Sequence, residues 1–517
     1  MLVIQNLTIK TINEQRILID NLNLSCQKTD KIAVIGEEGN GKSTLLKGIV
    51  NQELIRDFAL MEGQIVLGNT IVGYLPQVLA SEWNNTNVLL FLLKDNYNEQ
   101  VNPEKYGLLN SLYSLIGDFQ LRADILEHDE MGTLSGGEKV KLQLLKAMLT
   151  NPDLLLLDEP TNDLDLLTLQ WLEVFITTAN IPVMFISHDE YLLKTCANAI
   201  LHLEQTIKKT KPRWTFERIG YMEYLNKRSD LIARQNRIAG EEKRNYKQQL
   251  DRYRRVYQSV EHAQNTNTRQ DPHKGKMLKR KMSAVKSWGK RLEDKDVAQS
   301  VDVEEQVTLH FHDNVFLDKN KQVLDLHLDI LKVEDIVLAQ NINLQVFGRD
   351  RVGIVGMNGC GKTTLLREIY MILRNRTDIK LGWMPQNYDE ILPVDVSGIE
   401  YLAIDQRKET ITKVQKHLGS VKFTTEEMYA PIASYSQGQK AKLLLVKMVL
   451  DEVNVLLLDE PTRNLSPLTN PIVRDILNNF DGCIIAVSHD RMFLEEVPNV
   501  VYMLDENGLF ELASETD

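Results

Sequence analysis

Two stretches of this chain, GEEGNGKS at Gly36–Ser43 and GMNGCGKT at Gly356–Thr363, carry glycines, a lysine and a hydroxyl at the spacing G-x-x-x-x-G-K-[ST]. Glycines at these positions let backbone N–H groups close around phosphate oxygens, and a helix beginning there adds the positive end of its dipole. Each stretch follows an apolar strand pattern (KIAVIG, RVGIVG) and leads into a helix-periodic one (STLLKGIV, TTLLREIY), the context such a loop requires. Lys42 and Lys362 are then placed to reach the β- and γ-phosphates, and Ser43 and Thr363 to ligate Mg2+. Gly36, Gly39, Gly41 and Thr44, with Gly356, Gly359, Gly361 and Thr364, complete the two cradles.

A second pair of stretches supplies acids. LLLLDEPTNDLD at Leu154–Asp165 and VLLLDEPTRNLS at Val455–Ser466 are apolar runs ending in two carboxylates, as a buried parallel strand ends at its C-terminal edge. Asp158 and Asp459 can hold the metal through water, and Glu159 and Glu460 can orient the attacking water as general bases. Paired acids after a strand also arise as a simple helix cap. In series with a triphosphate loop, the catalytic reading is the stronger.

These residues need a scaffold, and the chain states it twice. LSGGEK at Leu134–Lys139 is answered by YSQGQK at Tyr435–Lys440, and FISHDE at Phe185–Glu190 by AVSHDR at Ala486–Arg491. Ser135 and Ser436, Asp158 and Asp459, and His188 and His489 are all separated by 301 residues. The chain is a tandem duplication, and an internal repeat of this size governs the whole fold. The expected fold class is α/β: two P-loop ATPase domains at 1–207 and 301–517, joined through 208–300 by a long antiparallel helical hairpin.

The 517 residues, 43 % hydrophobic and 26 % charged, suit a multi-domain globular protein. Cys26, Cys196, Cys360 and Cys483 are scattered, which argues against a disulfide framework or a structural zinc site. No apolar run approaches the ~20 residues of a membrane span, and no leader pattern opens the chain. The net charge is −12, yet Lys208–Lys295 holds 25 Lys and Arg against 10 Asp and Glu, and KGKMLKRKMSAVKSWGKR alone carries eight basic residues. From Leu225 a seam recurs every seven residues at Ile232, Ala239, Tyr246, Tyr253 and Val260, joined by Leu250 and Tyr257. After a polar stretch ending in Asp271-Pro272 it resumes at Leu278, Met282, Val285 and Leu292, which predicts two antiparallel helices. The first arm is on the order of 55 Å long, against a radius of gyration of ~16 Å for one ATPase domain. A charge run is usually a solvated face. On an acidic protein, however, a projecting basic rod repels itself unless an anion offsets it, and phosphate contacts with structured RNA would do so. Tyr253, Tyr257, Arg269 and Trp288 are candidates to stack on bases or sugars.

The four motifs in this order resemble the ATP-binding-cassette (ABC) superfamily over about four-fifths of the chain. The resemblance implies that Ser135, Gly136 and Gly137, and Ser436 and Gly438, are signature residues facing the nucleotide held by the opposite cassette. It makes Gln77 (YLPQ) and Gln386 (WMPQ) Q-loop residues near the metal, and His188 and His489 switch histidines. ATP and Mg2+ would lie at two composite sites, Lys42 facing Ser436 and Lys362 facing Ser135, with binding closing the cassettes and hydrolysis opening them. The halves differ: Tyr435 and Gln437 replace Leu134 and Gly136, and Asn464 replaces Asp163, which implies unequal turnover. No aromatic stands near Ile12 or Leu331, where the family stacks adenine.

Two whole cassettes joined by a charged helical linker, with DEPTNDLD close to the form DEPTNHLD, resemble the ABC-F family. The lack of an inserted arm and of a long C-terminal extension, and EPTRNLSPLTNP, are similar to its antibiotic-resistance branch in low-GC Gram-positive bacteria. That resemblance implies a cytoplasmic, ribosome-associated monomer that pairs its cassettes internally and has no membrane partner. It would enter the E site of the bacterial 70S ribosome. There the 208–295 linker, with 257–276 at its tip, would reach 23S rRNA, P-site tRNA and the peptidyl transferase centre and displace lincosamide, pleuromutilin and streptogramin A drugs. The alternatives are a housekeeping factor that relieves stalled ribosomes, a remodeller of other nucleic acids, and the ATPase subunit of a membrane transporter.

Overall fold

The computed structural model describes residues 1–12, 16–101, 107, 109–122, 124–161, 164–206, 211–265, 272–293, 309, 311 and 317–512. Two compact units result, one of residues 1–221 with 304–517 and one of residues 222–303.

In the first unit the duplication is visible as two six-stranded sheets of one topology. The first runs Val72–Leu75, Leu154–Asp158, Val183–Ile186, Lys31–Ile35, Ala199–Gln205, Lys211–Glu217 in spatial order. The second runs Leu381–Met384, Val455–Asp459, Cys483–Val487, Arg351–Val355, Val500–Asp505, Gly508–Leu512. In each, five strands are parallel and the last is an antiparallel edge. LLLLD and VLLLD are buried along their whole length, as strands covered on both faces must be. Their C-terminal edges carry the acids. Lys211–Glu217 pairs with Ala199–Gln205 inside the first sheet, so the chain leaves this cassette about ten residues after the expected boundary at 207.

A smaller antiparallel sheet lies beside each. The first has three strands, Ile17–Ser25, Val3–Thr11 and Ala59–Val66; the second has two among the described residues, Gln322–Val333 and Ile336–Phe347. The difference follows from chain length. Residues 51–71 separate the phosphate-loop helix from the next parallel strand in the first half, but only 374–380 do so in the second.

The second unit contains most of helix Tyr221–Asn265, of 45 residues, and helix Pro272–Glu293, of 22. The first helix is about 68 Å long at 1.5 Å per residue, longer than the heptad seam alone suggests. The seam falls where the sequence puts it: Ala239, Leu278, Met282, Val285 and Leu292 are buried, and Leu225, Ile232, Tyr246, Leu250, Tyr253, Tyr257 and Val260 are half-buried. Tyr253 meets Trp288 edge-on at 5.7 Å, and a Cβ on Gly289 would stand 2.7 Å from the Tyr253 hydroxyl, so the absence of a side chain there lets the helices close. Tyr253, Tyr257 and Trp288 therefore pack the hairpin rather than wait exposed for bases. Lys276, Lys279, Arg280, Lys281, Lys286, Lys290 and Arg291 face solvent. Arg269, with the rest of 266–271 at the polar tip, lies outside the described residues, as do Asn162 and Asp163.

Candidate nucleotide-binding sites

Each phosphate loop joins a buried strand to a helix, Lys42–Val50 or Lys362–Leu373, whose N-cap glycine, Gly41 or Gly361, is left-handed (φ 90° and 102°). The loop needs glycine most at its start. A Cβ on Gly36 would stand 2.2 Å from the Leu203 carbonyl oxygen, and one on Gly356 would stand 2.5 Å from that of Leu504. Lys42 donates to the carbonyls of Gly36 (2.7 Å) and Glu37 (3.0 Å), and Lys362 to those of Gly356 and Met357 (both 2.9 Å). Both ammonium groups thus sit inside the loops they serve. Burial pulls Lys362 below the ordinary lysine value. Thr44 and Thr364 occupy the first turn of each helix.

The acids converge on the same place. The Ser43 hydroxyl donates to Asp158 at 2.8 Å, and both carboxylate oxygens of Asp459 are buried without accepting a hydrogen bond. Burial pushes both carboxyls above the usual range, at Asp158 against the pull of the Ser43 hydroxyl. A buried carboxylate with unfilled acceptor positions beside a hydroxyl is the donor set a hard divalent cation takes. The residues therefore fit Mg2+.

Glu159 and Glu460 follow the acid strands with φ of 51° and 53°, a left-handed backbone that non-glycine residues hold only when the surroundings enforce it. Glu159 accepts from Gln77 Nε2 at 2.8 Å and lies 3.4 Å from His188 Nε2. Glu460 accepts from the His489 backbone N–H at 3.2 Å, and its carboxyl is pushed up to about 7 by burial. His489 Nε2 lies 3.8 Å from Glu460, and burial, with Lys362 nearby, depresses that imidazole to about 4. Gln386 does not repeat the contact of Gln77 but lines the cavity described next.

The cassettes meet head to tail. Ser135 and Ser436 each N-cap a helix through a capping box, with Glu138 and Gln439. At the first site the Gly438 N–H donates to Glu38 at 3.3 Å; Ser466 and Thr469 donate to Glu37 at 3.0 and 2.8 Å, and Lys442 does so at 3.3 Å. His188 Nδ1 lies 2.7 Å from the Leu465 carbonyl oxygen, so the switch histidine of one cassette touches the loop after the acids of the other. At the second site a cavity of ≈ 730 Å³ brings Lys362, Thr363, Thr364, Gln386, Asp459, Glu460 and His489 together with Gly136 and His188 of the first half. Its wall beyond the phosphate loop is Val333, Ile336 and Leu338, aliphatic as the lack of aromatics foretold. Gly438 of the second cassette thus touches the first phosphate loop, and Gly136 of the first lines the cavity around Lys362.

The ABC transporter family model matches residues 19–162 and 339–463. The ribosome protection protein VmlR of Bacillus subtilis (strain 168) is 30 % identical over 513 residues, covering 95 % of this chain and 84 % of that one. ABC transporter F family member 2 of Arabidopsis thaliana is 26 % identical over 95 % of this chain and 74 % of its own. The chain belongs to the ABC-F family. Like other ABC-F proteins it is an ATP-binding ATPase of two tandem cassettes, and no helix among its described residues is long and apolar enough to cross a membrane. An archaeal ribosome recycling factor in complex with a ribosomal stalk protein has the same fold, with a TM-score of 0.61 at 14 % identity over 98 % of this chain and 90 % of that one.

Sequence reasoning passed over several residues of these ABC-F sites. Glu37 and Glu38 occupy variable loop positions where the second copy has Met357 and Asn358, and two acids beside a phosphate site are a readable anomaly. Tyr435, flagged only as a departure from Leu134, is a buried anchor: its hydroxyl donates to the Glu427 carbonyl at 2.6 Å and accepts from Gly398 N–H at 3.2 Å. The Leu465 carbonyl, being backbone, leaves no mark in a sequence.

Proposed function

We propose that this ATPase works on the bacterial 70S ribosome as a protection factor in the cytoplasm, acting as a monomer built of cassette, basic linker and cassette. The observation that carries this reading is the hairpin: its seam residues pack inward while seven cations of its second helix face solvent, in a chain of net charge −12. Counterion release on phosphates gives such a surface affinity for structured RNA without base specificity. The name of VmlR supports the same target. In this reading the protein enters the E site, and the hairpin reaches 23S rRNA, P-site tRNA and the peptidyl transferase centre.

ATP is the substrate. Ser43 with Asp158 and Gln77, and Thr363 with Asp459 and Gln386, are the groups that would hold Mg2+, which when bound neutralises charge on the phosphoryl oxygens. Lys42 and Lys362 hold the β- and γ-phosphates, and the N–H groups at the helix starts after Ser135 and Ser436, with Gly136, Gly137 and Gly438, cover them from the other cassette. Glu159 and Glu460 take the proton of the water whose oxygen attacks the γ-phosphorus as the bond to ADP breaks. His188 and His489 orient that water and carboxylate.

The test is expression in a drug-sensitive Gram-positive host. Protection predicts raised inhibitory concentrations for lincosamide, pleuromutilin or streptogramin A drugs with the intact chain, and none when residues 208–295 are replaced by a neutral linker. Unchanged sensitivity to all three classes contradicts the protection role.

A further inference from the structure

A second set of contacts joins the cassettes just beyond the two switch histidines, next to the cavity-lining Asp189 and Asp490. It involves four charged residues that the duplication relates in pairs: Glu173 and Arg474 are 301 positions apart, and so are Glu190 and Arg491. Glu173 lies in helix Leu166–Thr178 and Arg474 in its counterpart Asn470–Asn478. Glu190 and Arg491 open the helices that follow the two switch histidines.

Each residue meets the other position of the other copy. Arg474 donates to both oxygens of Glu190, at 2.5 and 3.1 Å, and its Nε donates to Glu496 at 2.7 Å. Arg491 pairs with Glu173, lies 3.5 Å from Asp189, and has its guanidinium 3.8 Å from the centre of the Tyr191 ring. Arg474, Glu190 and Glu173 are only 2 %, 5 % and 8 % exposed. The pattern is two-fold in geometry and opposite in charge: both acids lie in the first cassette and both arginines in the second.

Buried like charges without partners are strongly unfavourable, whereas a buried carboxylate with a bidentate arginine is satisfied. The same interface built from two first cassettes would bring four carboxylates together with no cation from this set. Built from two second cassettes, it would bring four guanidinium groups together. We propose that Glu173, Glu190, Arg474 and Arg491 are a pairing code that lets a first cassette close only on a second one. The tether then makes that partner the one in the same chain, through its high local concentration. The proposal rests on the reading of the protein as a monomer that pairs its cassettes internally.

The test uses full-length chains: Glu173→Arg with Glu190→Arg, Arg474→Glu with Arg491→Glu, and all four exchanges together. Mass in solution is measured by light scattering with ATP, alongside ATPase rate. The code predicts that each half-exchanged chain loses at least tenfold in ATPase rate. Mixing the two recovers activity as a 1:1 complex of two chains, and the fourfold exchange is a monomer within about threefold of wild type. Half-exchanged chains that remain fully active monomers overturn the code, as does a mixture that neither associates nor recovers. If the half-exchanged chains do not fold, the milder cycle of Glu190→Gln, Arg474→Gln and the pair decides. Losses that fail to add by tenfold or more support the code, and additive losses overturn it. A wild-type chain that is itself a dimer contradicts the internal-pairing reading, and the proposal with it; a monomeric wild type with active half-exchanged chains contradicts the code alone.

Discussion

Lys442 holds its ammonium 3.3 Å from the Glu37 carboxylate, joining the signature helix of the second cassette to the phosphate loop of the first. Ser466 and Thr469 donate to the other oxygen of the same carboxylate. Burial alone would raise this carboxyl, but Lys442 and the two hydroxyls hold it down at about 2. A depressed carboxyl stabilises the fold fully above its unfolded value of 4.5, and that stability is lost as pH falls from there through about 2. The difference in unfolding free energy between wild type and Glu37→Gln should be at most about 3 kcal/mol at neutral pH. It should shrink steadily when denaturant titrations are repeated below pH 4.5. A difference independent of pH would show that the carboxylate charge is not what holds these groups together.

Glu38 accepts the Gly438 N–H, the kind of group that a signature helix offers to a terminal phosphate. A carboxylate there competes with the nucleotide for the donor and repels its charge. In a chain whose second site is silenced by Lys362→Ala, Glu38→Asn, which copies Asn358, should tighten ATP binding roughly fivefold, the size of one exposed charge interaction. Calorimetry that finds weaker or unchanged binding would contradict this account of the first site.

What could be read from the sequence depended on whether a residue's role is local. The phosphate loops, the acid strands and the offset of 301 residues identify themselves, because glycine, lysine and carboxylate chemistry requires fixed spacing. The hairpin seam from Leu225 to Leu292 was legible for a similar reason, since heptads expose the buried face of a helix. Contacts across the cassettes were not. Glu37 with Lys442, and Glu190 with Arg474, are hundreds of residues apart and mean nothing until two domains meet. Tyr253 and Trp288 misled because an aromatic on a basic helix looks like a stacking platform, whereas the missing side chain of Gly289 brings the helices close enough to pack both rings.

That packing gives its own test. Tyr253→Ala removes the ring that meets Trp288 and leaves a cavity beside Gly289, at a cost of about 2 kcal/mol for a half-buried aromatic. Hydrogen exchange should quicken over residues 275–292 while the cassette strands Leu154–Asp158 and Val455–Asp459 stay protected. Unchanged exchange in the second helix would mean that the hairpin is held by other side chains.

The exposed cations of the second helix should act through phosphate. Lys279→Gln, Arg280→Gln and Lys281→Gln together should weaken ribosome binding, and flatten the slope of log affinity against log salt by about 2 to 3, near one unit for each phosphate no longer neutralised. A weaker complex with an unaltered salt slope would assign these side chains a role other than binding phosphate.

The central claim is that ATP-bound cassettes hold the protein on the ribosome and that Glu159 and Glu460 release it by hydrolysis. The direct measurement is sucrose-gradient sedimentation of the Glu159→Gln, Glu460→Gln chain in bacterial lysate with ATP, with residues 208–295 either intact or replaced by a neutral linker. The account predicts that ATPase activity falls by 100-fold or more, as loss of a general base costs about 10²–10⁴. The intact chain should then move with 70S particles and the linker-replaced one remain at the top. An intact double variant that binds ATP, cannot hydrolyse it and still sediments free of ribosomes would contradict the account.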